Sequence, residues 1–172
     1  MCMSKCFLIA AFVGGIANSS GAELLHSTPA AEVTDAGGFC DWVPDRVTSP
    51  KRQGTKSFET KDDPDGFRFV VAGDRFAARK GLGIGVRLQL FGYHEGQILT
   101  VQVDRPQGKK SAYEPPVGAG GVLEVGFLPA KGEALPKGRY RITVLDGSSK
   151  LVTYGFTLDA VKDDGLCAPV VS

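Results

Sequence analysis

Two histidines stand outside the amino-terminal apolar stretch, His26 and His94. A nucleophile–base–acid arrangement needs an imidazole that is held in place with an acid behind it. His94 sits in Gly92-Tyr93-His94-Glu95-Gly96, a polar turn flanked by glycine, and His26 lies in a stretch without sustained period. Neither reads as a held base. The carboxylates Asp74, Asp104 and Glu124 are the other set from which an enzyme or inhibitor-type site could be assembled. That reading requires two of them to converge in a pocket. Lys61-Asp62-Asp63-Pro64-Asp65-Gly66 begins like a calcium loop, but Phe67-Arg68-Phe69 follows where further oxygen ligands and a distal glutamate are needed. Pro64 and Gly66 mark a tight turn into a strand, with the acids bonding local backbone. Gly81-Leu82-Gly83-Ile84-Gly85 lacks the Gly-Lys-Ser/Thr ending and the following helix of a phosphate loop. Glycines within a strand pattern mark a bulge or a close sheet-to-sheet approach. No catalytic residue, metal or cofactor is expected.

Basic residues are dispersed among turns: Lys51, Arg52, Arg75, Arg79, Lys80, Arg105, Lys109 and Lys110. The long irregular segment 106–121 combines Lys109, Lys110 and Tyr113 with Pro115-Pro116 and a Gly118-Ala119-Gly120-Gly121 end. Binding residues gather on loops carried by a rigid scaffold. Lys109, Lys110 and Tyr113 are therefore the candidate binding residues.

The elements that must position these groups are strands. Phe67, Phe69 and Val71 alternate with Arg68 and Val70. The same period of two runs through 86–90, 99–103, 123–127, 140–144 and 152–158. Each run has one face to bury and one to show water, as in antiparallel sheets packed face to face. Further strands are expected at 39–43 and 55–59. Asp146-Gly147-Ser148-Ser149 reads as a hairpin turn. Arg75 to Lys80 could form one turn of helix, and no window sustains a longer one.

The amino end has the tripartite pattern of a secretory signal: Lys5, an apolar run from Phe7 to Val13, then small residues. Ser20-Gly21-Ala22 fits the cleavage rule and would leave Glu23 first, with Ala17 as the other possible stop. The expected division is 1–22 signal peptide, 23–37 flexible leader and 38–168 a single β-sandwich domain. The protein is expected to be periplasmic or secreted, with no integral membrane segment after processing. Lys5 leaves with the signal, so nineteen cations face nineteen acids in the remainder. That neutrality argues against a nucleic-acid binder and against a polybasic membrane-surface protein. Cys2 and Cys6 leave too, and the remaining Cys40 and Cys167 read as a disulfide between the two ends of the domain.

The last ninety or so residues carry a further pattern. Gly138-Arg139-Tyr140-Arg141-Ile142-Thr143-Val144, the Gly147 turn and Tyr154-Gly155-Phe156-Thr157-Leu158 look like the terminal hairpin of immunoglobulin-like domains. More narrowly, the chain resembles the DUF3859 family of secreted bacterial domains. The resemblance rests on Cys40, on Arg75-Phe76-Ala77-Ala78 followed by Gly81-Leu82-Gly83-Ile84-Gly85-Val86, on Val103-Asp104-Arg105-Pro106, and on Pro136-Lys137-Gly138-Arg139-Tyr140. It spans about residues 40–160, and its motifs are structural. Tyr140 stands where tryptophan is as often found, and the 105–120 loop has its own composition. The resemblance implies an all-β, antiparallel, immunoglobulin-like sandwich of about seven or eight strands, and brings no activity. The leading expectation is a non-catalytic binding or accessory domain that uses a sheet edge or the 106–121 loop. Its expected partner is an unknown protein or an envelope polysaccharide.

Overall fold

The computed structural model describes residues 23–40, 68–130, 132–162 and 164–167. The expected signal peptide 1–22, the expected strand at 55–59 and the acidic turn at 61–66 lie outside the described residues. So do residues 41–43 of the expected first strand of the domain.

Ten strands occur among the described residues. They are β1 (Glu23–Ser27), β2 (Ala31–Cys40), β3 (Phe69–Ala72), β4 (Arg75–Ala77), β5 (Leu82–Leu90), β6 (Thr100–Asp104), β7 (Lys110–Tyr113), β8 (Val122–Phe127), β9 (Gly138–Asp146) and β10 (Ser149–Asp159). The larger sheet runs β1-β10-β9-β6-β7, with β4 also on β10; the smaller runs β3-β2-β5-β8. Every pairing is antiparallel except that of β4 with β10. The all-β sandwich matches the expectation, while the strand number exceeds the expected seven or eight.

All six alternating runs contain strands, and all but the first, whose Phe69 and Val71 are half-buried, bury their apolar set between the sheets. Leu82, Ile84, Val86, Leu88 and Leu90 of β5 face Val101, Val103, Ile142, Val144, Val152, Tyr154 and Phe156 of the larger sheet, and all are buried. Full burial of one such side chain stabilises by about 1.5–3 kcal/mol, so this shared layer dominates folding. The pairing of β5 with β8, opposite adjacent β6, β9 and β10, is the B–E and C–F–G division of the immunoglobulin sandwich. A tyrosine corner accompanies it. Near the start of β9, the Tyr140 hydroxyl donates to the Pro136 carbonyl at 2.8 Å. Burial pushes this phenol up to about 12, against the opposing pull of the Arg105 charge.

Three expectations are corrected. The flexible leader 23–37 is instead β1 and most of β2, which join different sheets. Its period is hidden by register shifts between Leu24 and His26 and between Val33 and Asp35. A bulge reverses which residues face inward. The single helical turn expected at Arg75 is β4, drawn into a sheet because the Thr157 N–H donates to the Asp74 carbonyl at 2.7 Å and Phe76 packs edge-on against Phe156. Tertiary pairing outweighs helix propensity there. The irregular segment 106–121 contains β7 and two short 3-10 turns, Pro106–Gly108 and Ala119–Gly121.

Cys40 and Cys167 form a disulfide with Cα atoms 5.3 Å apart, across a sequence separation of 127. The tail it fastens is also held by the Arg79–Asp164 ion pair at 2.9 Å and by Lys162 N–H donating to the Ala78 carbonyl at 2.8 Å. The Arg79 guanidinium holds the Asp164 carboxyl below its usual range.

Candidate functional site

The two outer faces of the sandwich differ in chemistry. On the larger sheet, strand register lines up outward residues in rows. Lys110, Asp104 and Arg141 are consecutive partners across β7, β6 and β9, and the next row carries Gln102, Thr143, Thr153 and His26. Apart from Lys110, which stands beyond Asp104, these rows line a shallow trough of about 390 Å³, walled also by Leu25, Leu145 and Lys150. Its floor is the threonine pair, whose hydroxyl oxygens lie 3.4 Å apart. Both threonines are under a tenth exposed, although they point away from the core.

Cations outnumber acids around this floor. Asp104 lies 3.7 Å from the Lys110 ammonium and 4.0 Å from the Arg141 guanidinium. Both cations are largely exposed, so these pairs are weak and leave the charges available to a ligand. Lys150 has no acidic partner among the described residues, and its carbonyl lies 3.3 Å from the His26 Nε2. The trough therefore presents Arg141, Lys150 and an imidazole against one carboxylate, above a bed of hydroxyl and amide groups, with Lys110 just beyond that carboxylate. That arrangement suits an anionic ligand rich in hydroxyls: guanidinium and ammonium groups bind carboxylate or sulfate, while Thr and Gln donate and accept.

The residues expected to bind are separated by the structure. Lys110 stands on the outer face at the end of the trough. Lys109 is exposed in the β6–β7 hairpin turn, its carbonyl accepting from Arg105 N–H at 2.8 Å. Tyr113 points the other way. Its hydroxyl donates to the Gly126 carbonyl and accepts from the Gly126 N–H, each at 2.9 Å. Burial holds this phenol well above its ordinary pKa. Tyr113 is thus placed on a strand as a link between the edges of the two sheets, not on an irregular loop.

The three carboxylates do not come together. Glu124 lies on the outer face of the smaller sheet and bonds Arg87 at 2.7 Å. Asp104 lies on the opposite outer face, and Asp74 lies between β3 and β4, where it accepts from the Glu23 N–H at 2.9 Å. His26 and Asp104 both border the trough, but three strand spacings separate β1 from β6, about 14 Å. They cannot act as a hydrogen-bonded dyad. His94 is exposed in its turn, and the neighbouring Tyr93 hydroxyl bonds Asp146 at 3.1 Å. Among the described residues no group of three or more His, Cys, Asp or Glu side chains is placed to hold a metal ion. Among those same residues no helix is long and apolar enough to cross a membrane.

Gln102, Arg141, Thr143 and Thr153 are outward positions of the alternating runs, so their direction was visible in the sequence. Their juxtaposition was not, because it depends on β6, β9, β10 and β1 being neighbours. No family model and no curated protein matches the chain.

Proposed function

We propose that this chain is an exported, non-catalytic binding domain that takes an acidic, hydroxyl-rich polysaccharide on the outer face of its larger sheet. One observation carries the reading: Arg141, Lys150 and His26 border the Thr143–Thr153 floor with Asp104 as the acid in the trough, and Lys110 stands next to Asp104 just beyond it. The amino-terminal pattern supports export to the periplasm or beyond, and the resemblance to DUF3859 domains supports the same setting without adding an activity. Three cations in reach of an extended chain favour a repeating anion, and the open, shallow shape suits a polymer more than an enclosed small molecule.

Binding of polygalacturonate, of neutral dextran and of phosphatidylglycerol vesicles to the purified domain tests this. The acidic polymer should bind, weakening steeply as salt rises, and dextran should not. Arg141→Ala with Lys150→Ala should weaken polygalacturonate binding at least tenfold. Equal binding by that double variant, or binding to vesicles alone, would remove the polysaccharide reading.

A further inference from the structure

β1 and β4 lie end to end along one side of β10. Glu23 is opposite Gly155 in the antiparallel part, and Arg75 is opposite Thr157 in the parallel part. The place on β10 beyond Glu23 is taken: the Asp74 carbonyl accepts from Thr157 N–H. Among the described residues the β1 ladder ends at Glu23. At that junction the Glu23 nitrogen donates to Asp74 Oδ2 at 2.9 Å.

The surroundings are acidic. The Glu23 carboxylate lies against Gly155, where an added Cβ would meet Oε2 at 3.0 Å. Asp74 from the β3–β4 turn and Asp35 from β2 both act on the buried Tyr154 hydroxyl behind it. The Arg75 guanidinium is held by Asp159 at 3.2 and 3.3 Å. A positive charge on the Glu23 nitrogen would be stabilised from several sides. Immediately before it stands Ser20-Gly21-Ala22, the small-x-small pattern of a cleavage site.

We propose that cleavage after Ala22 converts the Glu23 nitrogen into an α-ammonium that pairs with Asp74, so that export processing itself supplies the charge that fastens β1. Water adds across the Ala22–Glu23 peptide bond, with the host signal peptidase as catalyst. Ala22 leaves as a carboxylate, and the Glu23 amine takes a proton. This rests on the exported reading but can fail without it.

The full precursor, expressed in a secreting host, should yield a product whose intact mass and first residue correspond to Glu23. Retention of Met1 would overturn both readings, and a start at Asn18 would overturn only this one. In the processed protein, acylation of the α-amino group at pH 7 reports its unprotonated fraction. A one-unit rise over the ordinary 7.7–8.0 lowers that fraction about tenfold. Asp74→Asn should therefore speed labelling of Glu23 about three- to tenfold, while Asp159→Asn, which touches Arg75 instead, leaves it unchanged. Equal rates in Asp74→Asn and wild type would overturn the ion pair. Should Asp74→Asn not fold, NMR titration of the wild-type α-ammonium decides the matter: a pKa within or below the ordinary range overturns it.

Discussion

The outer face of the smaller sheet is closed by its own residues, while that of the larger sheet is left open. Over the smaller sheet the Phe39 ring lies across Gly85 and Gly126, where an added Cβ would come within 2.9 and 2.8 Å of it. Farther along, Arg87 and Glu124 answer each other at 2.7 Å. Over the larger sheet, long cationic side chains stand around small hydroxyls, and their contacts with Asp104 are loose. One fold thus assigns its two surfaces different tasks. Glycines and a close ion pair make a face that stabilises; threonines and under-compensated cations make a face that can receive a ligand.

The largest expected effect lies away from the trough, at the disulfide packed against the core. Replacing both cysteines, Cys40→Ser with Cys167→Ser, should cost about 4 kcal/mol in denaturant unfolding, because the crosslink restrains a very long loop in the unfolded chain. Polygalacturonate binding by the folded fraction should stay the same; a parallel loss of binding would break the division between the faces. Next, Gly126→Val drives a branched side chain into the Phe39 ring and should cost about 2–3 kcal/mol. The comparable change on the open side, Thr153→Val, should cost about 1 kcal/mol or less, since only one neutral hydrogen bond is at stake. Similar costs for the two substitutions would erase the contrast.

Arg141→Ala sharpens it from the other direction. Thermal unfolding should shift little, by about 0.5 kcal/mol or less for an exposed pair. Polygalacturonate affinity should fall several-fold, with a shallower dependence on salt. The smallest effect near neutral pH concerns the layer that both faces share. Tyr140 and Tyr154 are raised to about 12, chiefly by burial, whereas unfolded tyrosines ionise near 10. A raised folded value means that the native state holds its protons longer. Stability is thus fully present below pH 10 and declines as pH climbs toward 12. Tyrosinate absorbance and circular dichroism should change together in that window; separate transitions would mean that the two sheets do not share one cooperative core.

Much of this architecture was legible because alternation survives wherever a strand has one wet face. Strands β5, β6, β8, β9 and β10 carry it plainly. The glycines of Gly81-Leu82-Gly83-Ile84-Gly85 mark close contacts, but not of sheet on sheet: Gly85 lies under the Phe39 ring of the adjacent strand β2, and Gly83 lies against Leu128 and the Phe127 carbonyl. What escaped was whatever depends on partners distant in sequence. β4 exists because β10 offers a place for it, and β2 conceals its period behind a bulge and the Gly37-Gly38 pair. The trough escaped for the same reason. His26 and the Lys150 carbonyl, 124 positions apart, meet only through the β1–β10 pairing.

The position of Tyr113 bears on whether another copy's strand can dock on the smaller sheet. Gly126 is on β8, the last strand of the smaller sheet, and its N–H and C=O are the kind of paired groups through which another copy's strand would dock. One phenol occupies both at once, and the Val122 carbonyl on the same border is taken by Gly118 N–H at 2.8 Å. The sheet is stopped by a side chain from the opposite layer, so closing the sandwich and guarding against polymerisation are one event. Tyr113→Phe keeps the ring and removes the stopper, and it should reveal itself as concentration-dependent self-association by light scattering before any loss of fold.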